Sequence, residues 1–191
     1  MNVKKLAIFA SGSGTNAEAI INFFRDKKNI VIDSLWSNNP AAYALTRASD
    51  AGVETFVFNR QQFYSTDEVV GQLESRGVTL VVLAGFLWLV PENLIERFPI
   101  INIHPALLPK YGGKGMYGMK VHQAVIDNQD LETGISIHVV NKNFDEGEVV
   151  FQAKCSVSPG DTPDDVARKV HELEYKYFPA VIEKCAEELG E

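Results

Sequence analysis

The residues best suited to chemistry stand in "INIHPALLP" (101–109), where an apolar run ends in Asn102 and His104. Side chains two apart on a strand point to the same side. A residue ahead of proline is kept out of the α region, so Pro105 holds His104 extended. The pair therefore projects together from the strand's end. Asn102 offers a neutral N–H donor, and His104 offers one that titrates near neutrality. Two such donors suit the oxyanion that develops on a carbonyl under attack. A third group should orient the imidazole, as the acid of a catalytic triad does. "NFDEG" (143–147), a turn-rich loop between two expected strands, supplies Asp145. Its carboxylate would favour the protonated imidazole. Each residue also has a purely structural use: Asn102 and His104 as caps of strand-end backbone, Asp145 as a turn former. No serine or cysteine stands in an elbow motif, so an attacking group would come from the substrate. His104, His122, His138 and Asp145 could converge on a metal, but paired-ligand spacing is absent and no metal is expected. His138 reads as a hydrogen-bonded structural histidine near the site, His122 and His171 as ordinary helix residues.

A second stretch, "GSGTNA" (12–17), has the letters of the dinucleotide fingerprint. That fold needs an acid at the carboxyl end of strand two. Asp33 has the spacing but lies early in its strand, and the strand ends in the uncharged Ser37, Asn38 and Asn39. A nicotinamide cofactor is therefore not expected. The simpler use is a phosphate seat, with Gly14, Thr15 and Asn16 at a helix N-terminus where backbone N–H groups face an anion. A tight turn that binds nothing would also use these glycines.

Positioning these groups requires alternating strands and helices. "KLAIFA" is apolar on both faces, as a covered parallel strand is. Ala17, Ile20, Ile21 and Phe24 then follow a helical stripe. "IVIDSLWS" and "VETFVF" read as strands, with a helix between them opened by Pro40 and stopped by Gly52. "STDE" (65–68) reads as a capping box for a helix running to Arg76, before Gly77. The strand "VTLVVLAGF", a short helix in "PENLIERF" and the strand "IINIH" follow. "KVHQAVIDN" reads as helix, "TGISIHVV" and "EVVFQAKCSV" as strands, and 161–189 as helix with a break near Pro179. This pattern predicts one α/β domain over 1–191: an open, doubly wound, mainly parallel twisted sheet with helices on both faces, its last strands antiparallel.

The chain has 191 residues, 46% hydrophobic and 23% charged, enough for one substantial core. Its net charge of −7 argues against a nucleic-acid partner. No stretch approaches the roughly 20 apolar residues of a membrane span. The apolar run after "MNVKK" is too short for a signal peptide. Cys155 and Cys185 form no disulfide framework and fit a cytoplasmic setting. "KYGGKGMYGMK" (110–120) gathers three lysines without an acid, which suits either an anionic ligand or a solvated loop.

Over almost its whole length the chain resembles the folate-dependent formyltransferases. The resemblance rests on "SGSGTN" (11–16), "SNNP" (37–40), "LAGF" (83–86), "NIHPALLPKYGG" (102–113), "TGISIHVV" (133–140), "DEGEVVFQAKCSV" (145–157) and "HELEYKYFP" (171–179). It implies 10-formyltetrahydrofolate as co-substrate, with the formyl group passing to the glycine amine of glycinamide ribonucleotide in purine synthesis. It implies that Asn102, His104 and Asp145 are catalytic, and that Gly14, Thr15 and Asn16 hold the substrate phosphate. Glu174 matches the acid that holds the ribose hydroxyls; a solvated helix position is its plainer use. For folate it implies Arg60, Leu87, Trp88, Leu89, Val90 and again Asn102. Without the resemblance Arg60 is a surface cation and "FLWLVP" is core. Two departures stand out. Some members carry a shorter Lys-Tyr-Pro-Gly segment where this chain has "KYGGKGMYGMKVH", so no site residue is carried across 110–122. The "LWLVP" segment is one residue tighter than in some relatives.

The trio is shared with formyltetrahydrofolate hydrolases and with methionyl-tRNA and sugar formyltransferases. A hydrolase would usually carry an added N-terminal domain, yet the first strand begins here by residue 4. The tRNA enzyme would need a basic C-terminal domain, whereas this chain runs into an acidic helix. A folate- or nucleotide-binding module would not need a poised imidazole. Oligomeric state is not legible in the sequence.

Overall fold

A strand apolar at consecutive positions must be covered on both faces, and β1 (Lys4–Phe9) is. The computed structural model describes residues 3–189. After β1 come α1 (Thr15–Phe24), β2 (Ile30–Ser37), α2 (Tyr43–Asp50), β3 (Glu54–Val57), α3 (Arg60–Tyr64) and α4 (Glu68–Arg76). Then follow β4 (Leu80–Leu83), α5 (Glu92–Arg97), β5 (Ile100–His104), α6 (Met119–Asp127), β6 (Glu132–Val139), β7 (Val149–Ser156) and α7 (Pro163–Glu188). The strands form one sheet in the order β3-β2-β1-β4-β5-β6-β7. The first five are parallel, β6 is antiparallel to β5, and β7 is antiparallel to β6.

Alternation along β1 divides the core. Leu6 and Ile8 pack with Ala17, Ile20, Ile21 and Phe24 of α1 and with Val166, Val170, Phe178 and Ile182 of α7. Ala7 and Phe9 face the other way, into an aromatic cluster with Trp36, Phe58, Phe63 and Phe86, covered by α4 and α5. The chain crosses from β1 to β2 on one side and reaches β4 on the other. This leaves a crevice beyond the carboxyl ends of β1 and β4, where open α/β sheets bind ligands.

Several local expectations are corrected. Pro40 lies in a turn, and α2 starts at Tyr43. The capping box read at 65–68 is absent: α4 starts after Asp67 without a side-chain cap. An unforeseen short helix, α3, takes Ser65 as its own C-cap and has its own capping box from Asn59 and Gln62. Pro179 does not break α7, which runs 26 residues. One lost backbone hydrogen bond there is offset by the burial of Phe178, Pro179 and Ile182. Asp33 is the extra residue of a bulge opposite Leu6 and Ala7. It is paired to Arg76 Nε at 2.6 Å and to Lys5 Nζ at 3.7 Å, away from any ligand edge.

Candidate active site

The loop between β1 and α1 is built from backbone. Gly14 has φ +76°, and a Cβ there would lie 2.5 Å from the Ala44 Cα, so helix α2 passes where a side chain would stand. The Ala44 N–H donates to the Gly12 carbonyl (3.1 Å) and Arg47 Nε–H to the Ser13 carbonyl (3.0 Å). Among the described residues, no protein acceptor takes the N–H groups of Gly12 through Ala17. This is a run of free donors at the positive end of a helix. Ser11 ties the loop to its neighbours: its hydroxyl donates to Asn38 Oδ1 (2.6 Å) and accepts from the Leu87 N–H (3.0 Å).

At the end of β5, Asn102 and His104 project to one side as their alternation requires, and β6 lies beside them in antiparallel register. Asn102 pairs with His138, and His104 with Ser136. Asn102 Nδ2 is 3.0 Å from His138 Nε2. The β6–β7 loop folds back so that Asp145 Oδ2 stands 3.5 Å from His104 Nδ1 and Oδ1 stands 3.5 Å from His138 Nε2. The Gly113 N–H donates to Asp145 Oδ2 at 3.0 Å. His104 Nε2 donates to the Tyr111 carbonyl at 2.7 Å. Burial by itself would raise the Asp145 carboxyl, but the contact with His138, the nearby His104 and the Gly113 N–H hold it below the ordinary value. His104 behaves differently from expectation. Desolvation outweighs the favourable Asp145 carboxylate and Tyr111 carbonyl and pushes the imidazole below its usual value, so the resting ring is neutral.

The third wall comes from α7. Glu174, which could have been a solvated helix position, is buried at 4% exposure. Its Oε2 accepts from Asn16 Nδ2 (2.9 Å) and faces His171 Nδ1 at 2.7 Å. That hydrogen bond raises the His171 pKa. His122, from α6, is 2% exposed, and its Nδ1 has no partner. Burial, then the neighbouring His171, lowers its imidazole to about 4. Asn102, His104, Asp145, His122, His171 and Glu174 line one cavity of about 550 Å³, walled also by Gly12–Asn16, Ala84–Leu87, Ile103, Pro105, Gly113–Gly118 and Phe144, with His138 behind that wall.

A family model for formyl transferases matches residues 4–182. The chain belongs to the formyl transferase family. Phosphoribosylglycinamide formyltransferase of Haemophilus influenzae is 37% identical to it over 94% of this chain and 86% of that protein. The chloroplastic phosphoribosylglycinamide formyltransferase of Arabidopsis thaliana is 38% identical over 97% of this chain, which spans 66% of that longer protein. Glycinamide ribonucleotide transformylase 1 from Symbiobacterium toebii superposes with a TM-score of 0.87 at 30% identity, covering 97% of this chain and 88% of that one.

In this formyltransferase the cavity brings together Gly14, Thr15, Asn16, Leu87, Asn102, His104, Asp145 and Glu174. It does not gather the rest of the expected folate set. Val90 is 4% exposed and belongs to the aromatic core cluster, so it is core rather than wall. Trp88 and Leu89 are half-buried outside the lining, and Tyr64 donates to the Leu89 carbonyl at 2.8 Å. Arg60 sits over the Tyr64 and Trp88 rings, 5.1 and 5.5 Å from their centroids, also outside it. The structure adds residues that sequence reasoning passed over. His122 and His171 are cavity residues, and the i, i+3 spacing of His171 and Glu174 was a usable sign that they share a face. The glycine-rich stretch supplies Gly113–Gly118, including Lys114, to the wall. Lys110 in contrast is engaged by Asp130 at 2.8 Å.

Proposed function

We propose that this chain transfers the formyl group of 10-formyltetrahydrofolate to the glycine amine of N1-(5-phospho-D-ribosyl)glycinamide, acting as a single unit over 1–191 in the cytoplasm. One observation carries the reading: a single cavity has an Asn102–His104–Asp145 cluster on one wall and a seat of unpaired N–H groups beside buried Glu174 on another. That arrangement fits a small phosphorylated amine whose phosphate rests on Gly14–Asn16 and whose ribose hydroxyls meet Glu174. Leu87 and Asn102 contact the folate within the cavity. Arg60 meets its anionic tail outside.

Attack of the amine nitrogen on the formyl carbon moves the carbonyl π-electrons onto oxygen. Asn102 Nδ2 spends one hydrogen on His138 and keeps the other for that oxyanion. Once the Tyr111 carbonyl has left Nε2, the neutral His104 ring places its one hydrogen on Nδ1 toward Asp145. Nε2 then accepts the proton released as the new C–N bond forms, and Asp145 stabilises the imidazolium whose Nε2–H faces the oxyanion. The proton passes to N10 as the old C–N10 bond breaks and tetrahydrofolate departs. For the Nε2–H to reach the oxyanion, the Tyr111 carbonyl must withdraw from it. Among the described residues no helix is long and apolar enough to cross a membrane, and two half-buried free cysteines agree with a reducing compartment. The test follows deformylation of 10-formyltetrahydrofolate with glycinamide ribonucleotide, with other amines and with water alone. Turnover only with the ribonucleotide is expected. Equal turnover on water would make the chain a hydrolase, and none under any condition a binding module.

A further inference from the structure

The free N–H groups of the β1–α1 loop need an explanation, because short glycine loops can point either end of a peptide at a ligand. A trans peptide sets its C=O and N–H in opposite directions. Holding the Gly12 carbonyl back against the Ala44 N–H therefore turns the Ser13 N–H away from α2. Holding the Ser13 carbonyl back against Arg47 Nε does the same for the Gly14 N–H. Arg47 also pairs through Nη1 with Glu18 at 2.6 Å, cancelling a carboxylate in the first turn of the helix that should attract an anion. Its guanidinium rests over the Tyr43 ring at 4.9 Å, and its side chain is three-quarters covered, unlike a loose surface cation.

We infer that Arg47 is a positioning residue for the acceptor's phosphate: through the Ser13 carbonyl it aims the loop's N–H groups, and through Glu18 it keeps the seat electropositive. This rests on the reading of the loop as a phosphate seat. Arg47 touches neither substrate and performs no chemistry, so its removal should weaken one ligand only.

The test compares glycinamide ribonucleotide with its dephosphorylated counterpart as acceptors at saturating folate. The wild-type chain should strongly prefer the phosphorylated one. A wild type that treats both alike would overturn the phosphate seat itself, and Arg47's role with it, before any variant is made. In Arg47→Ala the KM for the phosphorylated acceptor should rise roughly tenfold, the worth of one charge-assisted hydrogen bond. KM for the dephosphorylated acceptor and for folate should stay within about twofold, and kcat should be little changed. Inorganic phosphate, used as a competitor, should weaken by the same factor. Arg47→Lys keeps the charge without the fork and should recover part of the loss. Should Arg47→Ala not fold, Arg47→Lys and Arg47→Gln carry the same two-acceptor comparison. Equal losses on both acceptors, or an unchanged KM for the phosphorylated one, would overturn the inference.

Discussion

His122→Gln should remove much of the acid sensitivity of folding. In the folded chain burial, then His171, presses the His122 imidazole from 6.5 down to about 4, and Glu174 opposes this without prevailing. In the unfolded chain the ring titrates at about 6.5. Between those values the unfolded chain binds a proton that the folded chain refuses, so stability rises with pH across the window and is lost as pH falls through it. Linkage makes the loss about 2 kcal/mol near pH 5 and about 3 kcal/mol near pH 4. His171 contributes with the opposite sign: its raised pKa adds stability below its ordinary value that fades as pH climbs through the folded one. It is present in both proteins and cancels from the comparison to first order. Urea unfolding between about pH 7.5 and about pH 4.5 reads the difference from midpoint and slope. The wild type should lose about 2.5 kcal/mol more than the variant over that range. The absolute stability at neutral pH does not matter to the test. Parallel curves would refute the reasoning, since they would mean the ring titrates alike in both states.

Asn102→Ala and His104→Ala should each lower kcat by about 2.7–4 kcal/mol of barrier, roughly a hundred- to a thousandfold, while folate binding measured by calorimetry survives; near-wild-type turnover in both would end the oxyanion assignment. Gly14→Ala must place a methyl on the Ala44 backbone at positive φ, so thermal unfolding should show a loss of about 1–3 kcal/mol, with the acceptor KM raised. Burial holds the His104 imidazole below its usual value against the pull of Asp145, so the acid limb of kcat/KM should fall below about pH 6.5. In the slower Asp145→Asn the limb should move lower still, because the group raising the imidazole is gone; an upward shift would contradict the assignment.

Much of the frame was legible because burial leaves a periodic trace. The stripe Ala17, Ile20, Ile21 and Phe24 read from the sequence is the set that α1 buries, and the alternation in "INIH" put Asn102 and His104 on one side. What escaped depends on competition between neighbours. The letters of "STDE" make a sound cap, but Ser65 closes α3 through its backbone N–H and α4 starts only after Asp67, out of reach of that box. Pro179 is a helix breaker wherever packing does not outvote it. A carboxylate beside an imidazole argues for a charged ring, and only the depth of His104 shows that desolvation wins. His122 and His171 look like any helix residues until α6 and α7 are set against the sheet, because periodicity gives a helix a face without saying what that face looks at. Val90 shows the converse, a residue of an expected binding segment whose side chain completes the core.

Gly147 lies two residues beyond the aspartate, and a Cβ there would collide with the carbonyl of Val139. The hairpin tip is thus seated main chain upon main chain, with no rotamer in between to loosen. Anyone wishing to reshape this enzyme for a bulkier amine can recarve the wall at Phe144 and leave the acid's anchorage alone. A single methyl at 147 would prise the tip away, and the charge that steadies His104 would go with it.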